Sequence, residues 1–145
     1  MPENSSIHIA LNALTPEIFL TLYRSVGWDA PEADQVRCAL ENTPAAFTAY
    51  AGDQPVGMLR LLGDGGMSFY LKDFAVLPAF QARGVGKALI DAAQAFITER
   101  IESGWAVSLE LISTPAAVGF YRRQGFEERP CAWDGPGMFK MLRKE

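Results

Sequence analysis

The stretch AFQARGVGKALIDAAQAF, residues 79–96, contains a glycine-rich turn followed by a run with helical periodicity. Its second half repeats apolar residues at helical spacing, which predicts a long helix that begins at the glycines. The first amide groups of a helix have no intrahelical acceptor and lie at the positive end of its dipole, so they can bind an anion. Gly84 and Gly86 leave the backbone accessible, and Arg83 and Lys87 add positive charge beside it. We therefore predict that a phosphate or pyrophosphate group binds at this turn.

Two well-known phosphate-binding patterns do not fit this turn. A Walker loop, G-x-x-x-x-G-K-[ST], would need glycine at Gln81 and a hydroxyl residue at Ala88. A dinucleotide fingerprint, G-x-G-x-x-G, would need glycine at Leu89 and a place in the first strand-to-helix turn of the chain. A nucleotide triphosphatase and a dinucleotide-binding domain are therefore disfavoured. A glycine-rich turn that binds no ligand stays open as the alternative.

The composition favours one folded domain over residues 1–145. Of the 145 residues, 49% are hydrophobic and 21% are charged, a balance typical of ordered globular proteins. The net charge of −4 disfavours a nucleic-acid-binding surface and mildly favours small cationic ligands. No apolar run approaches the ~20 residues of a membrane span, and the N-terminus lacks the pattern of a signal peptide. We expect a cytoplasmic protein without a nucleic-acid or membrane partner.

The cysteines and the single histidine disfavour several kinds of chemistry. Cys38 and Cys131 fit no metal-ligand spacing, so two buried thiols without a catalytic role are the favoured interpretation, and a disulfide stays open. His8 lies in the alternating run IHIAL, which is typical of a strand. A Ser-His-Asp or Cys-His mechanism would depend on this one residue, so triad hydrolysis is disfavoured.

Changes in hydrophobic period predict an α/β fold: a mixed, strongly twisted sheet of six to seven strands flanked by about four helices. Three antiparallel strands in series precede the long helix. The strand after that helix should lie parallel to the one before it, because a strand–helix–strand succession joins parallel neighbours. The predicted strands are residues 7–11, 45–50, 55–62, 67–78, 105–112, 126–129 and 138–144, and the predicted helices are residues 16–24, 31–41, 84–101 and 115–124. The apolar stripe of the long helix is expected at Val85, Ala88, Leu89, Ala92, Phe96 and Ile101.

Two motifs resemble those of the GNAT superfamily of N-acetyltransferases. QARGVG, residues 81–86, matches the pattern Q/R-x-x-G-x-G/A, and it lies between a strand and a long helix as it does in that family. TPAAVGFYRRQGF, residues 114–126, is similar to the signature N-x-x-A-x-x-F-Y-x-x-x-G-F. The two motifs occur in the family's order, and the resemblance covers residues 67–126. The N-terminal third matches only in its layout of elements.

The resemblance implies that acetyl-coenzyme A is the acetyl donor and that no metal takes part. In the family, backbone amides at the helix start hold the pyrophosphate, and the pantetheine arm lies along the end of the fourth strand where it parts from the fifth. Unpaired backbone groups in such a cleft can bond the amides of the arm. Thr114 stands where the family often has asparagine, which leaves fewer hydrogen bonds for the arm. The residues expected to bind the coenzyme are Phe74, Ala75, Val76, Gln81, Ala82, Arg83, Gly84, Val85, Gly86, Lys87 and Thr114.

The resemblance implies one catalytic candidate, and the positions of two carboxylates in the chain add two more. Tyr121 matches the family's general acid, and a phenol can protonate the thiolate that leaves when an amine attacks; packing of its ring in the core is the alternative. Asp73 and Glu110 are the candidates for the base that deprotonates the amine, with structural pairing or solvation as the alternative for both. Family members that carry a catalytic glutamate on the fifth or fourth strand align it with Leu109 or Tyr70 here, so the base is not matched directly.

The acceptor is expected in the loop between the first two helices and in the loop before the last strand. Trp28 and Trp133 offer apolar or cation-binding walls, Asp29 or Asp134 would attract an ammonium group, and Tyr70 is a further expected contact. The tryptophans could equally be packing or dimer contacts. A small primary amine is the favoured acceptor, a protein N-terminus or lysine stays open, and a homodimer is possible. The alternative function is an acyl-coenzyme A-binding sensor or partner subunit with weak or no turnover.

Overall fold

The computed structural model describes residues 6–145, which divide into two compact units, one ending at Leu111 and the other beginning at Ile112. The prediction of a single domain stays a prediction. In the first unit the elements are β1 (Ile7–Leu11), α1 (Pro16–Ser25), α2 (Ala33–Glu41), β2 (Ala45–Ala51), β3 (Gln54–Gly63), β4 (Ser68–Val76), α3 (Val85–Arg100) and β5 (Ser108–Glu110), with a 3-10 turn at Pro78–Phe80. The second unit contains a 3-10 turn at Pro115–Ala117 followed by α4 (Val118–Arg123).

The sheet has five strands in the order β1-β2-β3-β4-β5, which confirms a mixed α/β fold. The first four strands are antiparallel neighbours, and β5 pairs parallel to β4. The parallel β4–β5 pair confirms the expected strand–helix–strand succession. The prediction of six to seven strands is wrong, because residues 126–129 and 138–144 form no strand in the part of the chain that the structure describes.

Backbone pairing is the reason for this difference. Apolar periodicity reports which side chains favour burial, whereas a strand also requires a hydrogen-bonded neighbour, which the sequence does not identify. In the segment 138–142 the side chains of Met138, Phe139, Met141 and Leu142 are exposed. The strand predicted over residues 105–112 is likewise reduced to Ser108–Glu110, and its residues are half-buried rather than buried on both faces.

Helices cover both faces of the sheet. On one face α1 and α2 contribute Phe19, Leu22 and Val36 to a cluster with Met58 and Ala75 of the sheet. On the other face α3 packs on β2 and β3. The buried residues of α3 are Val85, Leu89, Ile90, Ala93 and Ile97. The predicted stripe is correct at its start, but Ala92 and Phe96 are only half-buried, because the sheet contacts a face of the helix rotated by about one residue.

The N-terminal ends of α1 and α2 are capped differently. Thr15 caps α1 by accepting the N–H of Ile18 at 3.2 Å, and Pro16 occupies the first turn. The helix predicted over residues 31–41 begins two residues later, at Ala33, and its N-cap, Glu32, forms no capping side-chain bond.

Candidate active site

Strand β4 carries a β-bulge just before the segment predicted to bind the coenzyme. Met58 pairs with Ala75 and Arg60 with Lys72, so Asp73 and Phe74 together lie opposite one residue of β3. Asp73 has φ +52°, in the left-handed region that few residues other than glycine adopt without strain. A bulge bends its strand and redirects the residues that follow it. The bulge therefore sets the direction of Phe74, Ala75 and Val76.

The ladder between β4 and β5 is short. Its three pairs end at Tyr70 and Glu110, whereas β4 continues to Val76. The two strands therefore share hydrogen bonds only at the start of β4, and Glu110 lies at the last pair before β4 continues alone. This arrangement matches the predicted cleft between parted parallel strands.

The turn between β4 and α3 has a defined backbone shape. The side-chain amide of Gln81 donates to the carbonyl of Val76 at 3.1 Å, which fastens the turn to the end of β4. Ala82 and Gly84 have φ of +60° and +83°, and Gly84 is the N-cap of α3. The first helical hydrogen bond joins the N–H of Ala88 to the carbonyl of Gly84 at 3.0 Å. The amides of residues 85–87 precede this ladder and are placed to bind an anion.

Two cations lie beside these amides. The guanidinium carbon of Arg83 lies 5.3 Å from the centre of the Phe80 ring, and the side chain is on the surface. The ammonium of Lys87 contacts the carboxylate of Asp91 one turn along the helix, at 2.5 Å. Part of the positive charge of Lys87 is therefore already balanced within α3.

Gly57 positions the start of α3 and was not identified from the sequence. A β-carbon at this residue would lie 3.1 Å from side-chain carbons of Val85 and Leu89, and 3.3 Å from the carbonyl oxygen of Ala75. The absence of a side chain thus allows the first turn of α3 to approach both β3 and the end of β4. A glycine inside the apolar run PVGMLRLL is the sequence signal of such close approach.

Asp73 is joined to Arg60 in a nearly buried ion pair. Nε of Arg60 donates to Oδ2 of Asp73 at 2.6 Å, and Nη1 of Arg60 donates to the hydroxyl of Thr43 at 3.0 Å. Each charged side chain of the pair is only 13% exposed. Neither Arg60 nor Thr43 was identified from the sequence, although an arginine inside an apolar strand is a signal that a buried partner exists.

Glu110 and Tyr70 line an open depression of about 330 Å³ with Leu62, Gly63, Asp64, Ser68 and Phe69. Tyr70 and Glu110 are parallel neighbours, so their side chains lie on the same face of the sheet. Burial, with a smaller contribution from the charge of Glu110, raises the pKa of Tyr70. This depression is the place in the first unit where a carboxylate and a phenol lie next to the end of the β4–β5 ladder.

Asp64 lies at the rim of the same depression but has a structural environment. Its Oδ1 accepts the N–H groups of Gly66, Met67 and Ser68 at 2.8 to 3.1 Å. These backbone hydrogen bonds, mainly those from Met67 and Gly66, lower the pKa of Asp64 to about 2. The carboxylate therefore caps the turn between β3 and β4.

The α1–α2 region brings together an aromatic group and an acidic residue. The ring of Tyr23 stacks on Phe19 at 5.2 Å and meets the ring of Trp28 edge-on at 5.0 Å. Trp28 packs on the core cluster, while Asp29 next to it is exposed. Burial raises the pKa of Tyr23, and the charges of Asp73 and Asp29 act in the same direction while Arg60 opposes them. Trp28 is thus a packing residue on at least one side.

The other predicted site residues belong to the unit that begins at Ile112. The Tyr121 ring contacts Phe120 and Phe126 edge-on, with centroid distances of 5.3 and 5.8 Å. Burial raises the pKa of Tyr121 to about 12. The predicted helix end at Gly125 is confirmed, since its φ is +93° and the N–H of Phe126 donates to the carbonyl of Tyr121.

Three further candidate residues, Thr114, Trp133 and Asp134, lie in the second unit. Thr114 precedes the 3-10 turn and forms no capping side-chain bond there. Trp133 is 73% exposed on a loop. Asp134 accepts a hydrogen bond from Nε of Arg129 at 2.8 Å, so its charge is balanced by an arginine.

Other features concern the cysteines, a metal and a membrane. The expectation of buried thiols is wrong for Cys38, which is exposed, and Cys131 is half-buried; both are free. His8 stacks on Tyr50 at 5.1 Å within the β1–β2 pair. Within residues 6–145, no three His, Cys, Asp or Glu side chains are grouped to hold a metal ion, and no helix has the length and apolarity to cross a bilayer.

Comparison with known proteins agrees with this geometry. Residues 42–128 match the family described as "Acetyltransferase (GNAT) domain". A GNAT-family acetyltransferase from Streptococcus pneumoniae TIGR4 is 34% identical, with a TM-score of 0.77 over 96% of this chain and 100% of that chain. GCN5-related N-acetyltransferase 1, chloroplastic, from Arabidopsis thaliana is 29% identical over 86% of this chain and 61% of its own length. Serotonin N-acetyltransferase 2, chloroplastic, from Oryza sativa subsp. japonica is 27% identical over 82% and 60%.

The chain therefore spans about three fifths of the length of these two curated relatives. The family match covers more than half of the chain, including the bulged strand, the glycine turn and the start of α3. The protein belongs to the GNAT superfamily of N-acetyltransferases.

Proposed function

We propose that this protein transfers the acetyl group of acetyl-coenzyme A directly to a primary amine within a ternary complex. The observation that carries the proposal is the backbone turn of residues 81–87 at the end of a bulged β4, in a chain that belongs to the GNAT superfamily. Bound acetyl-coenzyme A would supply the activated thioester. The remaining chemistry, which is to bind, orient and move protons, falls to residues of this chain.

The coenzyme would be held mainly by the backbone. The amides of residues 85–87 would bind the pyrophosphate, assisted by the positive end of the α3 dipole and by the charge of Arg83. A β-carbon at Gly84 would meet nothing within 4 Å. Glycine therefore serves there to adopt φ +83°, which shapes the turn, and not to avoid a clash. The main chain of Phe74, Ala75 and Val76 would bind the pantetheine arm.

We assign the base to Glu110 rather than to Asp73. An alkylammonium with pKa near ~10.4 loses a proton at neutral pH at a cost of roughly 4 to 5 kcal/mol, which a nearby carboxylate can reduce. Glu110 lies in an open depression at the end of the β4–β5 ladder, where an amine has access. The carboxylate of Asp73 is instead nearly buried and bonded to Arg60.

Tyr121 is the proposed acid. Its pKa of about 12 keeps the phenol protonated throughout the physiological range, and burial is the cause. Complete proton transfer from such a weak acid to a thiolate whose conjugate acid has a pKa near ~8.5 would be uphill, so the phenol would assist mainly by donating a hydrogen bond to the departing thiolate. Because the folded-state pKa is raised, the neutral phenol is lost only as the pH rises towards 12. The high-pH limb of the rate profile should therefore not reflect Tyr121 below about pH 10.

A small amine with an aromatic or aliphatic body is the favoured acceptor. Tyr23 and Trp28 offer aromatic surface, and exposed Asp29 offers a negative charge for an ammonium group. The net charge of −4 favours a cationic acceptor. A relative named serotonin N-acetyltransferase fits this class, since serotonin is an aromatic primary amine.

Release of free thiol from acetyl-coenzyme A, measured with a panel of amines, amino acids and peptides, tests the proposal. We expect turnover with at least one small amine, and stabilisation of the protein by coenzyme A in thermal unfolding. Tyr121→Phe should bind coenzyme A normally but lose about 10²- to 10⁴-fold in kcat. Stabilisation without turnover of any amine would favour a sensor or partner subunit, and absence of both effects would refute the proposal.

A further inference from the structure

The ion pair of Arg60 and Asp73 lies directly before the proposed coenzyme segment of β4. Arg60 contacts the carboxylate of Asp73 at 2.6 Å and the hydroxyl of Thr43 at 3.0 Å. The Thr43 hydroxyl in turn donates to the carbonyl of Ala39, in the last turn of α2, at 2.6 Å. A continuous set of hydrogen bonds thus connects the end of α2 to the bulge in β4.

Asp73 occupies a backbone conformation that glycine would adopt with less strain. Its φ of +52° is left-handed, and it lies at the position of the bulge where glycine is common. Aspartate tolerates this conformation better than most residues, whereas a β-branched residue would be strongly strained there. The side chain of Asp73 therefore provides something that glycine could not, and its contact with Arg60 is the feature that distinguishes it.

Stability alone is a weak explanation for the pair. Removing two charges from water is unfavourable, and well-packed apolar residues often replace a buried ion pair with little loss or with a gain. Loss of one partner, by contrast, leaves an uncompensated charge. The pair is better explained as a device that fixes one backbone conformation at the bulge.

We propose that Arg60 is a positioning residue, which holds the Asp73 carboxylate and thereby fixes the bulge that sets the backbone of residues 74–76 for the coenzyme. The inference rests on the proposed function. Asp73 acts here as the structural acceptor of Arg60, and it takes no proton from the amine. Thr43 supports Arg60 from the end of α2.

Four single variants, one double variant and one control test this role. Arg60→Met and Asp73→Asn each break the charge pair, and Asp73→Asn retains a residue that tolerates the left-handed region. Arg60→Lys keeps the charge but loses the second, forked donor to Thr43. Asp73→Gly accepts positive φ without any side chain. Arg37→Met is the matched control, because Arg37 forms an exposed pair with Asp34 at 2.5 Å on α2.

Hydrogen exchange of the ligand-free protein gives a readout that needs no coenzyme. We expect the amides of residues 74–76 to exchange about tenfold faster in Arg60→Met and Asp73→Asn, an intermediate change in Arg60→Lys and no change in Arg37→Met. The Kd for coenzyme A should rise about tenfold in the first two variants, while kcat at saturating coenzyme changes by less than about threefold. In the Asp73→Gly background, Arg60→Met should change neither the exchange of residues 74–76 nor the Kd for coenzyme A any further, because the carboxylate that Arg60 holds is already absent.

Several results would overturn the inference. A loss of 100-fold or more in kcat for Asp73→Asn, with unchanged exchange and unchanged Kd, would make Asp73 the base. Lower stability of Arg60→Met and Arg60→Lys in urea, with exchange at residues 74–76 unchanged relative to the rest of β4, would show a merely structural pair. If the unaltered protein fails to bind coenzyme A, the proposed function fails. The exchange comparison then still decides whether Arg60 holds the bulge.

Discussion

The turn at residues 81–87 and the end of the β4–β5 ladder at Tyr70 and Glu110 adjoin the same strand but are constructed differently. The turn offers main-chain amides, so its binding capacity depends on backbone conformation at Gly84 and on the packing of α3. The ladder end offers side chains from two strands that are 40 residues apart in sequence. Binding at the turn depends mainly on its shape, with a smaller contribution from the charges beside it, whereas the ladder end can be disabled by changing one functional group. We therefore expect substitutions at the turn and at the ladder end to have different kinetic consequences.

Replacing the proposed base should give the largest effect. Glu110→Gln keeps the size of the side chain but removes its ability to accept a proton. We expect kcat/KM for the amine to fall about 10²-fold or more at pH 7, with the Kd for coenzyme A unchanged. Part of the loss should be recovered as the pH rises towards the pKa of the amine, because the free amine then needs no base. Steady-state kinetics between pH 6 and 10, with coenzyme binding measured by titration, provide the test.

Glu102→Gln is the matched control for this variant, since Glu102 is an exposed carboxylate just after α3. It should leave the rate unchanged. If Glu110→Gln changes only coenzyme binding, or if its defect is independent of pH, the ladder end is a second binding region and the contrast with the turn is lost.

A shape change at the turn should have a smaller effect on catalysis and a larger one on binding. In Gly57→Ala the new methyl group would crowd Val85, Leu89 and the carbonyl oxygen of Ala75. The two side chains can shift, but the carbonyl is part of β4. We expect a loss of about 1 to 3 kcal/mol in the free energy of unfolding, as for overpacked cores. The Kd for coenzyme A should rise about tenfold, with kcat little changed at saturation, since about 1.4 kcal/mol lost at the start of α3 corresponds to that factor.

Gly66→Ala is the control, because a β-carbon at Gly66 would meet nothing within 4 Å and the residue does not require positive φ. Urea unfolding and calorimetric titration of both variants measure the two effects. Equal stability and affinity in Gly57→Ala and the unaltered protein would show that α3 does not depend on this close approach.

The contrast between the turn and the ladder end also explains which features could be predicted from the sequence. The turn was predictable because its determinants, Gln81, Gly84, Gly86 and the helix that follows, are adjacent in the chain and act through local backbone geometry. The antiparallel order of β2, β3 and β4 was predictable from short turns between alternating segments. Family resemblance added two expectations, a coenzyme and an acid role for Tyr121, neither of which follows from spacing alone.

Contacts between distant residues were not predictable in this way. Arg60 meets Asp73 only after β3 and β4 have paired, with a bulge that moves the register by one residue, and Thr43 reaches Arg60 from the end of α2. The prediction of the last two strands was wrong for the same reason, since an apolar pattern in residues 138–144 does not identify a strand with which to pair. The buried face of α3 is rotated by about one residue from the predicted apolar stripe, because tertiary contacts with β2 and β3, rather than helical periodicity, select it.

A second carboxylate in the depression of Glu110 provides a sharper comparison. Asp64 accepts three backbone N–H groups, which lower its pKa from an ordinary value near 3.8 to about 2. Its folded-state pKa lies below the unfolded one, so the stabilisation is present above about pH 4 and is lost as the pH falls through 2. Asp64→Ala should therefore be less stable than the unaltered protein at pH 6. The difference in the free energy of unfolding between the two proteins, the stability gap, should narrow steadily between pH 4 and 3. Urea midpoints over this range measure the gap; a gap that is constant with pH would contradict the capping role.

The smallest expected effect concerns the charge beside the turn. Lys87 contacts Asp91 at 2.5 Å across one turn of α3, and both side chains are more than half exposed. Asp91→Asn removes the competing carboxylate, so Lys87 should attract the coenzyme phosphates more strongly. Because exposed ion pairs contribute about 0.2 to 1 kcal/mol and are screened by salt, the Kd for coenzyme A should fall about two- to threefold at low ionic strength and not at all in high salt. Asp34→Asn, which removes the carboxylate of an exposed pair on α2, should leave the Kd unchanged. A decrease that persists in high salt would mean that Asp91 alters the shape of the helix start rather than its charge.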